Sequence, residues 1–195
     1  MNNQEYEIVN YNENICENDI KIVNEIYNEA FPDEERDASL NELIDSCKSD
    51  KRFYLDIMYA DPLETGKKQV VAFSYYFIDT DFIYGIYLAI KKDFRSKGYG
   101  NKFIDYLKDN YTKNKHFFLC AEKVEDIAEN KEQRIKREAF FHKLGFSQVE
   151  TDIELNGVNY DFYSLKKVTP EEVDHYLDKI QEAIVPDYYN EKITE

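Results

Sequence analysis

The sequence predicts an α/β (α+β) protein with a central mixed, mostly antiparallel, twisted sheet of about seven strands, flanked by helices. Two observations predict this class. Segments rich in aromatic and β-branched residues alternate with segments whose apolar residues recur at helical spacing. In addition, a strand, a helix and a strand follow one another over residues 82–122, which implies a right-handed crossover and therefore a parallel pair. The 195 residues suffice to bury a sizeable core.

The first part of the chain predicts a helical pair followed by a run of strands. In order, we expect a strand, two helices and three antiparallel strands at residues 6–11, 18–30, from 40 onward, 52–60, 69–79 and 82–90. Phe31-Pro32 ends the first helix, because proline cannot continue the helical hydrogen bonding. Either Asp37 or Ser39 caps the second helix, and Ser39 would do so in a capping box with Glu42.

The second part predicts a buried strand, a helix, a hairpin and a terminal helix. After a helix that ends near Asn110, these elements are expected at residues 116–122, 132–144, 146–155 with 158–167, and from Thr169 to 185. Gly145 stops the first of these helices, and Asn156-Gly157 forms the hairpin turn. We therefore divide the chain into a domain of residues 1–167, a helical extension of residues 168–185 and a flexible tail of residues 186–195.

Charge and composition exclude several classes of function. Forty acidic residues against 25 basic ones give a formal charge of −15, which argues against nucleic-acid binding. That charge would either attract a cationic partner or simply keep the protein soluble. Cys16, Cys47 and Cys120 are too far apart for a zinc site or a disulfide frame, so we expect reduced thiols, a cytoplasmic protein and no metal. We expect no signal peptide and no membrane span, because no apolar run reaches the required length.

The stretch from Leu88 to Asn101 is a strand-to-helix turn with two glycines. Backbone N–H groups at a helix start have no intrahelical partner and favour anions, so the turn is a candidate phosphate site. Five basic residues and one acidic residue lie between positions 91 and 102, in an otherwise acidic chain. The alternative is an ordinary surface turn with solubilising lysines. No Gly-Lys-Ser/Thr follows, and Phe103 replaces the third glycine of a dinucleotide fingerprint.

Two segments resemble one known family. Arg95-Ser96-Lys97-Gly98-Tyr99-Gly100, after a Leu-Ala-Ile strand, is similar to the Arg/Gln-x-x-Gly-x-Gly/Ala pyrophosphate loop of the GNAT superfamily of acyl-CoA N-acyltransferases. Residues 139–146 (AFFHKLGF) resemble that family's Phe-Tyr-x-Lys-Leu-Gly-Phe helix end. The two motifs occur in the family's order, and the resemblance covers residues 5–167.

The resemblance implies an N-acetyltransferase that moves an acetyl group from acetyl-CoA, as cosubstrate, directly to a primary amine of a small molecule or peptide. It implies that the strands matching 82–90 and 116–122 splay apart around the pantetheine arm. Cofactor contacts then fall on Leu88, Ala89, Ile90, Arg95, Ser96, Lys97, Gly98, Tyr99, Gly100, Asn101 and Phe141. It also implies an acceptor border in the turn that holds Phe31, Pro32, Glu34 and Arg36.

Glu122 is the candidate general base, because partial burial at the end of an apolar strand could raise its pKa. The alternatives are an exposed strand-end carboxylate, Glu125, the Glu34/Glu35 pair, or a proton route through water. Phe141 stands where the family often has a tyrosine acid, and His142 is either its replacement or a surface histidine.

Two rival functions and two places for the terminal helix remain open. The rivals are a noncatalytic acyl-CoA-binding or regulatory relative of the family, and an acidic interaction protein whose glycine-rich turn is only structural. The terminal helix packs either on its own domain or on a partner subunit in a homodimer.

Overall fold

The computed structural model describes residues 6–11, 14–32, 35–36, 38–61, 66–126, 128, 130–155 and 158–184. These residues contain seven β-strands and five α-helices, and they confirm the predicted class of a mixed sheet flanked by helices. The chain divides into two compact units, residues 1–115 and residues 116–195. The predicted turn at 156–157 and the predicted tail at 186–195 lie outside the described residues, as do Asp33, Glu34 and Asp37.

The elements follow the predicted order, with ends that differ by a few residues. The first unit contains β1 (Tyr6–Asn10), α1 (Glu17–Ala30), α2 (Leu40–Ser49), β2 (Phe53–Ala60), β3 (Gln69–Ile78), β4 (Phe82–Ile90) and α3 (Tyr99–Tyr111). The second contains β5 (His116–Glu122), α4 (Lys131–Lys143), β6 (Ser147–Leu155), β7 (Val158–Ser164) and α5 (Pro170–Ile184).

Strands β1 to β4 form an antiparallel sheet in the first unit, and helices cover both of its faces. On one face, the ring of Tyr27 in α1 lies 5.1 Å from that of Tyr87 and 6.0 Å from that of Phe73. On the other face, Tyr111 of α3 lies with its ring centroid 5.9 Å from that of Tyr76. This packing holds β4 and α3 in place. These two elements flank the predicted phosphate turn.

Two helices begin at capping boxes, and the first of these is the box predicted at Ser39 and Glu42. Of the two candidates for α2, Ser39 is the cap: its N–H donates to Glu42 Oε2 at 2.7 Å, and the Glu42 N–H donates to Ser39 Oγ at 3.4 Å. Thr169 and Glu172 repeat the arrangement at α5, with distances of 2.8 and 3.3 Å. Each box satisfies two N–H groups that a helix start leaves without partners.

The second unit is an antiparallel sheet in the order β5-β7-β6, with α5 packed on it. Tyr176 of α5 stacks on Phe118 of β5, with ring centroids 5.1 Å apart and ring planes 18° apart. Phe162 of β7 lies 4.8 Å from the same phenylalanine. The terminal helix therefore packs within its own unit, which is the first of the two placements expected for it.

No helix within the described ranges is long and apolar enough to cross a membrane. In the same part of the chain, no three His, Cys, Asp or Glu side chains are grouped so that they could hold a metal ion. Cys16, Cys47 and Cys120 form no disulfide, and of these three only Cys16 is exposed.

Candidate cofactor-binding site

The predicted cofactor strand is held in register by its neighbour β3. Leu88 pairs with Ser74, Ala89 with Phe73 and Ile90 with Ala72, and Ser74 Oγ donates to the carbonyl oxygen of Tyr87 at 3.0 Å. Ala89 is buried, whereas Leu88 and Ile90 are half-buried. The last strand residues before the turn are thus fixed in position while two of the three side chains stay partly accessible.

A short 3-10 turn, Lys92–Phe94, then reverses the chain. The N–H of Phe94 donates to the carbonyl oxygen of Lys91 at 2.8 Å, and its side chain is buried. The ammonium groups of Lys91 and Lys97 lie 5.8 and 5.1 Å from the Phe94 ring centroid, within cation–π range. Phe94 therefore anchors the turn to the core and holds two lysines beside it.

The backbone of the turn is left-handed at two places. Ser96 has φ 61° and Gly98 has φ 85°, and Gly98 is the residue from which α3 begins. Left-handed residues within a tight turn point successive N–H groups to one side, which forms a concave site for an anion. Glycine adopts this conformation without strain, whereas Ser96 is in a region that costs a non-glycine residue energy.

The start of α3 has no neutralising group of its own. No side chain caps it, and its first turn contains no acidic residue. The first intrahelical bond runs from the N–H of Lys102 to the carbonyl oxygen of Gly98, at 3.1 Å. The N–H groups of Tyr99, Gly100 and Asn101 precede that bond, so helix geometry leaves them available to an external acceptor. The start of α3 can therefore accept an anionic ligand, as the prediction of a phosphate site requires.

The basic side chains near the turn are also held in place. Arg95 Nε donates to the carbonyl oxygen of Ile90 at 3.0 Å, which ties the arginine to the end of β4. The Lys102 ammonium lies 5.2 Å from the Tyr6 ring centroid and 5.4 Å from that of Tyr99. Residues 95–98 are exposed, so their cations can reach a ligand from solvent. Positive charge and open N–H groups thus coincide.

Glu122, the candidate base, lies in the second unit within a cluster of ion pairs. It is 7% exposed, so the expectation of an exposed strand-end carboxylate is wrong. Arg134 Nη2 donates to one carboxylate oxygen, and Arg137 Nη2 donates to the other at 2.7 Å. Asn130 Nδ2 adds a third hydrogen bond at 3.3 Å. Both carboxylate oxygens therefore already accept hydrogen bonds from neighbouring side chains.

Sequence reasoning missed these two arginines. They stand three positions apart on α4, which puts them on the same face of that helix. Arg134 is 12 residues from Glu122 and Arg137 is 15 residues away, so no local pattern joins them. The available signal was the pair of arginines on a helix that follows a strand ending in glutamate.

Phe141 and His142 occupy structural positions in the second unit. The Phe141 ring is buried and lies 5.2 Å from that of Tyr163 and 6.1 Å from that of Phe146. His142 Nδ1 lies 3.1 Å from the carbonyl oxygen of Phe146. Its other ring nitrogen is 3.6 Å from Glu138 Oε1, and its side chain is 47% exposed. These contacts agree with the interpretation of His142 as a surface histidine.

In the first unit, the turn that the resemblance places near the acceptor is tied to β4. Tyr87, one residue before Leu88, donates its hydroxyl to the carbonyl oxygen of Glu35 at 3.4 Å. The Phe31 ring packs against that of Tyr87 at 4.8 Å, and the Arg36 guanidinium lies 5.7 Å from the Tyr27 ring centroid. Tyr87 therefore links the α1–α2 turn to the strand that carries the predicted cofactor contacts.

The fold is that of an α/β protein, and the open start of α3 after β4 is a candidate site for an anionic ligand. The sequence matches the model of the acetyltransferase (GNAT) family over residues 20–146, which is more than half of the chain. The protein therefore belongs to the GNAT acetyltransferase family.

Solved structures of low sequence identity share the fold. A GNAT-family protein from Bacteroides thetaiotaomicron superposes with a TM-score of 0.65 at 20% identity, covering 85% of this chain and 90% of that one. An aminoglycoside 6'-N-acetyltransferase complexed with coenzyme A gives 0.58 at 13% identity, covering 83% and 98%. A spermidine N-acetyltransferase from Vibrio cholerae gives 0.59 at 11% identity, covering 83% and 94%. A search of curated proteins found no significant match.

Proposed function

We propose that this protein is an N-acetyltransferase that moves an acetyl group from acetyl-CoA to a primary amine. The observation that supports it most strongly is the open start of α3, where Gly98 has a left-handed backbone and the first turn has neither a cap nor an acidic residue. In a chain with a net charge of −15, that helix start is suited to an anionic ligand. The diphosphate of coenzyme A is such a ligand.

Each residue of the proposed donor site has a distinct role. The N–H groups from Gly98 to Asn101 receive the diphosphate oxygens, and Arg95 and Lys97 add charge beside them. Leu88, Ala89 and Ile90 lie along the pantetheine arm, with backbone groups of Leu88 and Ile90 as its contacts. Ser96 shapes the turn, and Phe141 is the proposed cofactor contact in the second unit. The resemblance to the family suggests these roles, and the left-handed turn supports those at the phosphate end.

The proposed reaction is direct attack of a neutral amine on the thioester carbon. A C–N bond forms, the C–S bond breaks, and the thiolate takes up a proton while the amine nitrogen loses one. A thiol with a pKa of about 8.5 is a fair leaving group, so the phenylalanine at position 141 does not prevent the reaction. Holding the donor in line contributes about 7–11 kcal/mol in favourable cases.

The amine proton has two candidate routes, through Glu122 or through water, and Glu122 is engaged by Arg134 and Arg137. As a base, Glu122 would have to accept the proton on an oxygen that already accepts a hydrogen bond from an arginine. These ion pairs therefore support the alternative in which water carries the proton away. Replacing Glu122 with glutamine separates the two routes, as the Discussion describes.

The acceptor is proposed to be a cationic amine, because the chain is strongly acidic. Spermidine and aminoglycosides are named as acceptors of two proteins that share the fold, and both are polycations. Peptide amines and small metabolites remain within the proposed class. We place the reaction in the cytoplasm, since three free thiols are typical of a reducing compartment.

The decisive experiment is an acceptor panel with acetyl-CoA, in which the release of free thiol is recorded. The panel contains polyamines, aminoglycosides, basic peptides and amino acids, and propionyl-CoA tests the length of the acyl chain. The proposal is supported if free thiol is released with any amine of the panel. This release should be lost in Gly98→Pro and Arg95→Ala and kept in Lys48→Ala. Lys48 is the matched control, because it is an exposed basic residue on α2, away from the turn. If coenzyme A does not bind at millimolar concentration, the proposal is wrong.

A noncatalytic acyl-CoA-binding or regulatory relative is the second candidate. The two ion pairs of Glu122 and the phenylalanine at position 141 favour it, because neither residue then supplies a proton-transfer group. This candidate predicts heat of binding with coenzyme A, together with no thiol release from any amine in the panel. The remaining candidate is an acidic interaction protein whose glycine-rich turn is only structural. It predicts neither binding of coenzyme A nor release of thiol.

A further inference from the structure

A fully buried carboxylate lies on the sheet face beneath α3. Asp56, in the middle of β2, has 0% of its surface exposed, although its neighbours in the sequence are apolar (FYLDIMYA). Burying a charged side chain in this way is costly, and an apolar residue of similar size would pack there at lower cost. The carboxylate at this position therefore implies directional hydrogen bonds, which an apolar side chain could not form.

Asp56 is held by neutral donors from three elements. Asn10 Nδ2 of β1 donates to Oδ1 at 2.8 Å, and the hydroxyl of Tyr76 in β3 donates to Oδ2 at 2.6 Å. The hydroxyl of Tyr106 in α3 interacts with the same carboxylate and lowers its pKa, as the hydrogen bonds from Tyr76 and Asn10 do. Asp56 therefore connects its own strand to two neighbouring strands and to the helix.

Further contacts join the same helix to the cluster. Tyr111, the last residue of α3, packs its ring against those of Tyr76 and Tyr106, with centroids 5.9 and 6.3 Å apart. Its ring lies 6.1 Å from that of Tyr54, which in turn stacks on Tyr76 at 5.3 Å. The second half of α3 thus packs on Tyr76, and the hydrogen bond that Tyr76 donates to Asp56 holds the ring against which Tyr111 packs.

The first half of the same helix carries the proposed phosphate site. An α-helix of this length is a stiff rod, so fixing one end against the sheet also fixes the direction of the other. We propose that Asp56 is a positioning residue for coenzyme A: through Tyr106 it orients α3, and so sets the position of the N–H groups of Tyr99, Gly100 and Asn101. This inference rests on the proposed function, because it assumes that those N–H groups bind the diphosphate.

The test measures the dissociation constant of coenzyme A by titration calorimetry, at a temperature well below the melting transition of each variant. Tyr106→Phe removes only the hydroxyl and should weaken binding about fivefold, the affinity equivalent of one ordinary hydrogen bond. Asp56→Ala should weaken it by more. Asp56→Asn retains an acceptor oxygen and can donate to a tyrosine hydroxyl, so it should bind within about twofold of the original protein.

Tyr54→Phe is the matched control, because it removes a hydroxyl from the same aromatic cluster on a strand instead of on α3. It should leave the dissociation constant unchanged. Equal affinities for Tyr106→Phe and the original protein, with both folded, would overturn the inference even if Asp56→Ala does not fold. The proposed function fails separately, when the original protein itself does not bind coenzyme A. A purely structural role predicts lower melting temperatures with unchanged dissociation constants.

Discussion

Ser96 and Gly98, two positions apart, both have a left-handed backbone, and the helix that bears the proposed phosphate site begins immediately after them. The pair sets the direction of the N–H groups at the start of α3. The conformation of this turn depends on its backbone more than on its side chains. Replacing Gly98 with a residue that has a Cβ should therefore weaken ligand binding even where the added Cβ meets no other atom.

For Gly98→Ala, we expect a loss of about 1 kcal/mol in the free energy of unfolding, since a left-handed backbone disfavours any L-residue with a Cβ. No atom lies within 4 Å of the added Cβ, so the cost is conformational, not steric. Coenzyme A affinity should fall about tenfold as the turn relaxes. Chemical denaturation and calorimetry measure the two effects.

Gly66→Ala is the control for that measurement. Gly66 has φ 78° and is equally uncrowded, but it lies outside the turn. It should lose similar stability and keep its affinity for coenzyme A. A Gly98→Ala protein with unchanged affinity would show that the turn conformation does not serve binding.

For Glu122→Gln, we expect a fall of about 3 kcal/mol in the free energy of unfolding, because Arg134 and Arg137 would lose the charge that pairs with them in a largely buried site. Equilibrium denaturation checks the stability, and the rate of thiol release is measured on the fraction that is folded. If water carries the proton, the turnover of the folded enzyme should change little.

Glu125→Gln is the comparison, since its carboxylate is 36% exposed and 3.9 Å from Arg134 Nη1. Glu125→Gln should lower the free energy of unfolding by less than about 1 kcal/mol. A Glu122→Gln protein that keeps its stability but loses turnover would instead identify Glu122 as the base.

The buried Asp56 predicts a pH dependence of stability. Burial raises the pKa of this carboxyl, and the hydrogen bonds from Tyr76, Asn10 and Tyr106 offset the rise only in part. When a folded-state pKa is raised, the stabilising contribution is complete below the unfolded pKa and is lost as pH rises through the folded pKa. The side chain in Asp56→Asn does not titrate. The melting temperature of this variant minus that of the original protein should therefore gain in value as pH rises from 4 to 7. A gain that shrinks with rising pH would contradict the assignment.

The cysteines predict a difference in reactivity. Burial raises the pKa of the Cys47 thiol to about 12, whereas Cys16 is exposed. Because only the thiolate reacts, alkylation of the native protein at pH 8 should modify Cys16 at least about 100 times faster than Cys47. Mass spectrometry of the peptides measures both rates, and unfolding in urea should abolish the difference. Similar rates in the native protein would contradict the burial of Cys47.

The sequence predicted most reliably those features that depend on neighbouring residues. The capping box of Ser39 and Glu42, and that of Thr169 and Glu172, follow from residues three positions apart. The glycine-rich turn was found in the same way, and the family match confirmed the fold that it suggested. Such features are visible because the chemistry that forms them is local.

Features that depend on distant pairing could not be predicted. The pairing of Glu122 with Arg137 and the position of Asp56 between Asn10 and Tyr76 arise only when separate strands and helices meet. A glutamate at the end of a strand gives the same sequence pattern whether it faces water or two arginines. For this reason the sequence suggested Glu122 as a base without revealing the cations that engage it.

The unneutralised start of α3 has a practical consequence for handling this protein. A site that offers bare amides to any oxyanion does not distinguish sharply between a nucleotide tail and a buffer component. Sulfate, inorganic phosphate and pyrophosphate should therefore compete with the coenzyme, and preparations kept in phosphate buffer should give weaker apparent affinities than those kept in a zwitterionic buffer.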